Sequence, residues 1–389
     1  MISPYSGDQD NGEILRAILD ESRPREIASF LRSLSVVDRC SLVPYIKWIE
    51  QEKKRNGPVV SLKSCSGLLL AGAGLFDSTA DLSAWIEMYG RELRDSDGDS
   101  IIWQIVNALC TRDRLWHSRL LRRLTSLPNL SPDQVALILA VARATQIELP
   151  VTDRLVFAWV KANCKAAPKT ISPGCERLVR RIVAVPGTGR FLVNRSGDDL
   201  AILIAVAARS PRIRAELLDN CLTAIGFPGT TADLHGYLAV YHALVPGPGE
   251  LVPRMQRFER FLCNRNNLVV QLAQHELFRL YNSGRIHAAT WLRSTRTVFR
   301  HPDTNTVLTQ LGQLTQVLTK EPSAAEAGMH FLVSTLLNHD GEVAGRARQL
   351  ADQYAPEASA RTRALLAAAY HNSTTRDLRK PRIRSLVVR

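Results

Sequence analysis

The chain has 389 residues, with 50 basic against 37 acidic side chains and a formal net charge of +13. Hydrophobic residues at 45% and charged residues at 22% suit a chain with a large buried core and argue against disorder. The apolar runs at 67–76 and 200–208 fall short of the roughly 20 residues a membrane span needs; both read as buried helices, and no membrane is expected.

Residues 1–12 read as frayed. Their Asp8 and Asp10, with no basic residue before Glu13, do not match a secretory signal. Helical spacing starts at 13–19 and 25–34, where Ile14 and Ile18, then Ile27, Leu31 and Leu34, mark one face and Pro24 stands near a helix start. A third helix over 38–48 runs into the charged stretch 50–55 and the break Asn56-Gly57-Pro58. Residues 62–75 and 81–93 form the next pair, with Asp77-Ser78-Thr79 as a capping turn. An acidic loop at 95–99 leads to helices over 101–110 and 114–124. Ser131 caps the helix over 135–145, with Pro132 at its first position. Helices over 150–164, 178–183, 198–208, 213–225 and 233–245 follow, and Pro246-Gly247-Pro248-Gly249 stops the last of them. The count approaches twenty helices joined by short connections, with no strand alternation.

From Asn264 to Tyr354 one apolar pattern recurs three times. Val270, Leu277 and Tyr281 are followed by Val307, Leu314 and Leu318, then by Val343, Leu350 and Tyr354, in steps of 37 and 36 residues. The internal spacing i, i+7, i+11 returns to one helix face. Each unit is preceded by a polar turn, Asn264-Arg265-Asn266, His301-Pro302-Asp303 or His339-Asp340-Gly341, with residues suited to an N-cap. Partner helices are expected over 286–299, 323–337 and 358–370. A helix pair repeating at this length predicts an all-α, HEAT-like α-solenoid. Leu314 is then central to the middle unit, with Gln313 beside it on the surface. The expected organisation is a disordered N-terminus over 1–12, an irregular helical-repeat region over 13–262, HEAT-like repeats over 263–372 and a basic tail over 373–389.

Further stretches carry a family resemblance. They are Leu217-Leu218-Asp219, Tyr241-His242-Ala243-Leu244-Val245-Pro246, Glu250-Leu251 through Arg279-Leu280, and Ser283-Gly284-Arg285. Arg112–Trp116 ahead of Leu120-Leu121-Arg122-Arg123-Leu124 belongs with them, as does Pro150 through Phe157-Ala158-Trp159-Val160. In this ordered set the chain resembles a bacterial domain-of-unknown-function family with HEAT-like helical repeats, as a short form. The resemblance implies a fold, no established activity, and an assembly role beside SWIM zinc-finger, AAA-type ATPase or von Willebrand A-type proteins.

Patterns for chemistry are incomplete. His275-Glu276-Leu277-Phe278-Arg279 places arginine where a zincin needs its second histidine; an exposed Glu-Arg pair on a helix is expected. His235 and His242 are about 10 Å apart along a helix, too far for one metal, and read as interhelix hydrogen-bonders. Gly72-Ala73-Gly74 reads as close helix packing, and Pro186-Gly187-Thr188-Gly189-Arg190 as a tight turn, lacking the spacing and Lys-Ser/Thr of a P-loop. Asp95, Asp97 and Asp99 fail the EF-hand register. Seven scattered cysteines with no C-x-x-C pair argue against a disulfide framework or structural zinc and point to a reducing cytoplasm. The six tryptophans, Trp48, Trp85, Trp103, Trp116, Trp159 and Trp291, read as core anchors. No catalytic, cofactor or metal site is assigned.

Of the 50 basic residues 41 are arginine, a bias that a GC-rich genome produces as readily as phosphate recognition. Basic charge concentrates over 161–195 and in the tail 376–389. Arg177, Arg180 and Arg181, at i, i+3, i+4, form the candidate contact face, with Leu178, Val179, Ile182 and Val183 opposite and Lys161, Lys165 and Lys169 upstream. The expected function is a non-enzymatic scaffold for a protein partner. The alternatives are a nucleic-acid-binding solenoid using this face and an enzyme whose site no motif reveals.

Overall fold

Apolar residues spaced for one helical face become helices throughout. In the computed structural model the described residues are 9–21, 24–55, 62–91, 93, 98–163, 175–192 and 197–379, and they contain helices and no strand. Among them no helix is long and apolar enough to cross a membrane. The chain divides into two units, Met1–Leu244 and Val245–Arg389. The division falls beside the Pro246-Gly247-Pro248-Gly249 stop.

The first unit comprises α1 (Gln9–Asp20), α2 (Pro24–Ser33), α3 (Val36–Arg55), α4 (Leu62–Leu75), α5 (Thr79–Tyr89), α6 (Gly98–Leu109) and α7 (Arg114–Leu124). It continues through α8 (Pro132–Thr145), α9 (Asp153–Asn163), α10 (Cys175–Arg181), α11 (Gly197–Ala208), α12 (Pro211–Gly226) and α13 (Thr231–Leu244). Helix α1 begins inside the segment expected to fray. Packing joins helices next but one in sequence: α2 on α4, α4 on α6, α6 on α8, and α5 on α7. Helix α4 is apolar on every side because it is covered on every side. Leu68, Leu69, Leu70, Ala71, Ala73, Leu75 and Phe76 are all buried.

Two glycines make that burial sterically feasible. A Cβ on Gly72 would overlap the Trp85 ring, and one on Gly74 would press into Leu31. Trp85 is locked in turn by its indole N–H, which donates to Leu68 O at 2.8 Å. The run at 200–208 behaves differently. Helix α11 buries Leu203, Val206 and Ala207 but leaves Ile204 exposed, so only one face of it is core.

Local polar chemistry sets the helix starts. Ser78 and Asp113 accept from backbone N–H groups inside α5 and α7. Ser131 and Gln134 form a reciprocal capping box on α8, with Pro132 in the first turn. The Gln134 amide also donates to Ile86 O at 2.8 Å, tying this cap to the end of α5.

The second unit comprises α14 (Pro248–Leu251), α15 (Met255–Phe261), α16 (Asn267–Asn282), α17 (Ala288–Thr295), α18 (Thr304–Lys320), α19 (Ala325–Asn338), α20 (Gly341–Tyr354) and α21 (Ala360–Arg379). The three sequence repeats map onto α16, α18 and α20. All nine repeat positions, from Val270 to Tyr354, are buried. Asn266 and Asp303 cap α16 and α18 through their side chains, accepting at 3.0 and 2.8 Å, and Asp340 holds the N-cap position of α20. Helix α16 packs on α18 and α18 on α20, while α17 packs on α19 and α19 on α21. Helix α21 runs to Arg379, into the segment read as a tail; residues 380–389 lie outside the described ones.

Two readings of side-chain environment are corrected. Gln313 is buried, because α18 turns this flank toward the core as well as the Leu314 flank. Of the tryptophans, Trp85, Trp159 and Trp291 are buried, whereas Trp48 and Trp103 are 45% and 55% exposed. Trp48 lies on the surface of α3, stacked on Tyr45 beneath the Arg16 guanidinium. Trp116 is half-buried, with its N–H on Asp77 O.

Leu314 is fully buried, so Leu314→Ala is expected to cost about 2–5 kcal/mol. Gln316, exposed on the same helix, replaces Gln313 as the control, and Gln316→Ala is expected to stay within about 0.5 kcal/mol. Urea unfolding of both variants checks the pair.

Candidate functional site

Helix α10 is held by its apolar side. Leu178, Val179, Ile182 and Val183 are all buried, so the i, i+3, i+4 spacing turns Arg177, Arg180 and Arg181 outward. Arg177 and Arg181 are 52% and 48% exposed, and Arg180 is half-buried. None of the three is a bare cation. Arg177 pairs with Glu148. Arg181 meets Asp153, at the start of α9, at 2.5 Å, and Arg180 meets Glu176 at 2.8 Å. Arg209, just past the end of α11, reaches the other oxygen of Glu176 at 2.9 Å. The hydrogen bond from Arg180, joined by that from Arg209, holds the Glu176 carboxyl below its ordinary range.

Four guanidiniums therefore face three carboxylates drawn from α9, α10 and the loop before α9. Lys161 is exposed nearby, while Lys165 and Lys169 lie outside the described residues. Such a lattice joins neighbouring helices but presents little uncompensated charge to a polyanion, and exposed pairs of this kind contribute only about 0–1 kcal/mol each.

The glycine-rich turn at 186–190 is structural. Thr188 is buried, and its hydroxyl donates to Ile182 O at 2.6 Å and Val185 O at 2.9 Å. The Arg190 N–H donates to Asp233 Oδ1 at 2.9 Å, so it is not free to cradle a phosphate. Asp233 is buried at the start of α13. Burial works against its charge, but hydrogen bonds from Thr230 and from the Arg190 N–H outweigh that and depress its pKa. Gly189 and Gly236 let the two backbones touch: a Cβ on either would overlap the other strand of chain. Gly187 takes φ +81°, a left-handed value that glycine adopts without steric cost.

The histidines and carboxylates singled out by sequence are dispersed. His235 and His242 are both exposed, on the solvent side of α13 rather than in a seam between helices. Arg279 does pair with Glu276, at 2.7 Å, but the pair is not exposed as expected. Glu276 is buried, and Arg279 also donates to Pro246 O at 2.9 Å. Asp95 and Asp97 lie outside the described residues. Among the described residues no group of three or more His, Cys, Asp or Glu side chains is placed to hold a metal ion.

Two polar contacts unseen in the sequence tie the helices of the second unit together. The Gln274 amide of α16 donates to Thr306 O and to Gln310 Oε1 of α18, both at 3.0 Å and both buried. Glu326 of α19 caps α21 from outside, accepting from Ser359 N at 2.7 Å, Ser359 Oγ at 2.8 Å and Thr362 Oγ1 at 2.5 Å. These bonds, the Ser359 N–H first, lower the Glu326 pKa from 4.5 to about 2. The sequence reading also passed over Arg119, Arg122 and Arg123, which share the spacing of the α10 trio. Helical periodicity reveals such a face but not whether carboxylates from other helices reach it.

Changing Arg177, Arg180 and Arg181 together to Gln is expected to cost about 1 kcal/mol or less per pair. Urea melts at low and high salt check this; a large loss insensitive to salt would mean that the pairs hold the fold. The Glu326 clasp gives a pH dependence. A carboxyl whose folded pKa is depressed adds stability above its ordinary pKa and loses that contribution as pH falls through the folded value. The stability gap between wild type and Glu326→Gln should therefore be constant above about pH 5 and shrink toward pH 2, as followed by unfolding midpoints across that range.

Comparison with protein-family models, with curated proteins and with solved structures finds no match to this chain.

Proposed function

We propose that the second unit is a HEAT-like α-solenoid and that the protein is a non-enzymatic helical-repeat scaffold for protein–protein interaction, working in the cytoplasm. The family that the sequence resembles is part of the same proposal. One observation carries it. Three helices with the same apolar spacing bury the same three positions, and each packs on the next while their partner helices do likewise. In such an array each repeat supports its neighbours, and a row of helix faces stays open along its length. On α16 and α18 that outward row is polar and uncharged at Gln271, Asn305, Thr309 and Gln316, with Lys320 exposed at the end of α18.

Affinity capture from the native host at moderate salt tests the proposal. Wild type is expected to retain a stoichiometric protein partner that is lost with Thr309→Glu and Gln316→Glu together, while the far-ultraviolet circular dichroism stays unchanged. Equal recovery by both proteins, or no partner at all, would overturn it.

A further inference from the structure

The second arginine triad differs from the first in one respect that matters chemically. Helix α7 buries His117, Leu120, Leu121 and Leu124, so its opposite side faces water. That side carries Leu115, Arg119, Arg122, Arg123 and, just past the helix end, Ser126, all exposed, while exposed Arg114 stands in the first turn on the flank of the buried face. The helix contains no acidic residue. Arg119, Arg122 and Arg123 repeat the i, i+3, i+4 spacing of the α10 trio, yet they and Arg114 have no ion-pair partner among the described residues. Exposed Arg154, from the start of α9, extends the row by donating to Ser126 O at 2.5 Å.

We infer that this face of α7, centred on Arg119, Arg122 and Arg123, is a contact site for the phosphate backbone of nucleic acid. Helix electrostatics account for part of the row: cations in the last turn, Arg122 and Arg123, stabilise the negative end of the helix dipole. That reason does not extend to Arg119 in the middle, and it runs against Arg114 in the first turn. Guanidinium forks match phosphate oxygens two at a time, and serine hydroxyls are common phosphate donors. Ser118 lies half-buried beside the arginines, while the Ser126 hydroxyl already donates to Arg122 O at 2.8 Å. A protein partner would be expected to use an apolar anchor near the centre, and here exposed Leu115 stands at one end. From Arg119 to Arg123 the row spans about 6 Å of helix axis, close to the axial rise of about two phosphates on one strand. Contacts confined to phosphates fix position without reading bases, so the binding is independent of sequence.

The test is fluorescence anisotropy of the full chain with a labelled duplex DNA of arbitrary sequence, titrated from low to physiological salt. Wild type is expected to bind at low salt. R119Q/R122Q/R123Q should flatten the slope of log K against log salt by up to about 2.7, from about 0.9 per phosphate. R119K/R122K/R123K, which keeps the charge, and R177Q/R180Q/R181Q, which removes charge already paired, should both keep the wild-type slope. Should the triple Gln variant not fold, Arg119→Gln alone is read for a change of about 0.9. No binding by wild type at low salt, or a wild-type slope in the folded α7 variant, overturns the inference. Labelled polyglutamate bound by wild type and not displaced by unlabelled duplex also overturns it, in favour of an acidic protein.

Discussion

The fold depends on helices burying apolar faces against one another, in two rows against the helix next but one and elsewhere, as at α12 and α13, against the immediate neighbour. An α-helix satisfies its own backbone hydrogen bonds, so no ladder joins neighbours as it would in a sheet. Apolar side chains and a few polar clasps must hold the helices together. The rows α2-α4-α6-α8 and α16-α18-α20 are two instances of that constraint. Where three helices compete for one space, side-chain size decides the outcome. Gly72 and Gly74 bring α4 against Trp85 and Leu31, and Gly189 and Gly236 bring a turn against the α13 backbone.

Polar groups within these seams give direction to packing that apolar contact alone leaves loose. A buried amide or carboxylate without a partner costs free energy, so each one selects the helix positions that supply its hydrogen bonds. Gln274 fixes α16 to α18 through Thr306 and Gln310, and Asp233 fixes the 186–190 turn to α13; half-exposed Glu326 ties α19 to the start of α21 without that burial cost.

Charge follows a different logic. Forty-one arginines spread over one chain say little until their neighbours are known. The α10 trio faces Glu148, Asp153 and Glu176, and the guanidiniums there act as ties between surface helices. The α7 trio, of identical spacing, faces solvent with no carboxylate partner among the described residues. A scaffold that holds a protein on one set of helices and touches a nucleic-acid backbone on another would combine the two proposals without either depending on the other.

The sequence by itself determined what is periodic and local. The helical class follows from residues three and four apart, the three-fold repeat from Val270 to Tyr354 follows from their recurrence, and caps such as Ser131 and Asp303 follow from residues within one turn of each helix start. It also settled that Leu178, Val179, Ile182 and Val183 would be inside, and the arginines of α10 outside. Only the tertiary structure decided which outward or ambiguous residues meet a partner. Arg177, Arg181 and Arg209 find their carboxylates 29, 28 and 33 residues away, and Gln313, Glu276, Trp48 and Trp103 fall opposite to their expected environments. Helical spacing fixes a side chain's direction only relative to its own axis. Whether that direction ends in solvent, in a core or on a carboxylate depends on which distant helix lies beside it.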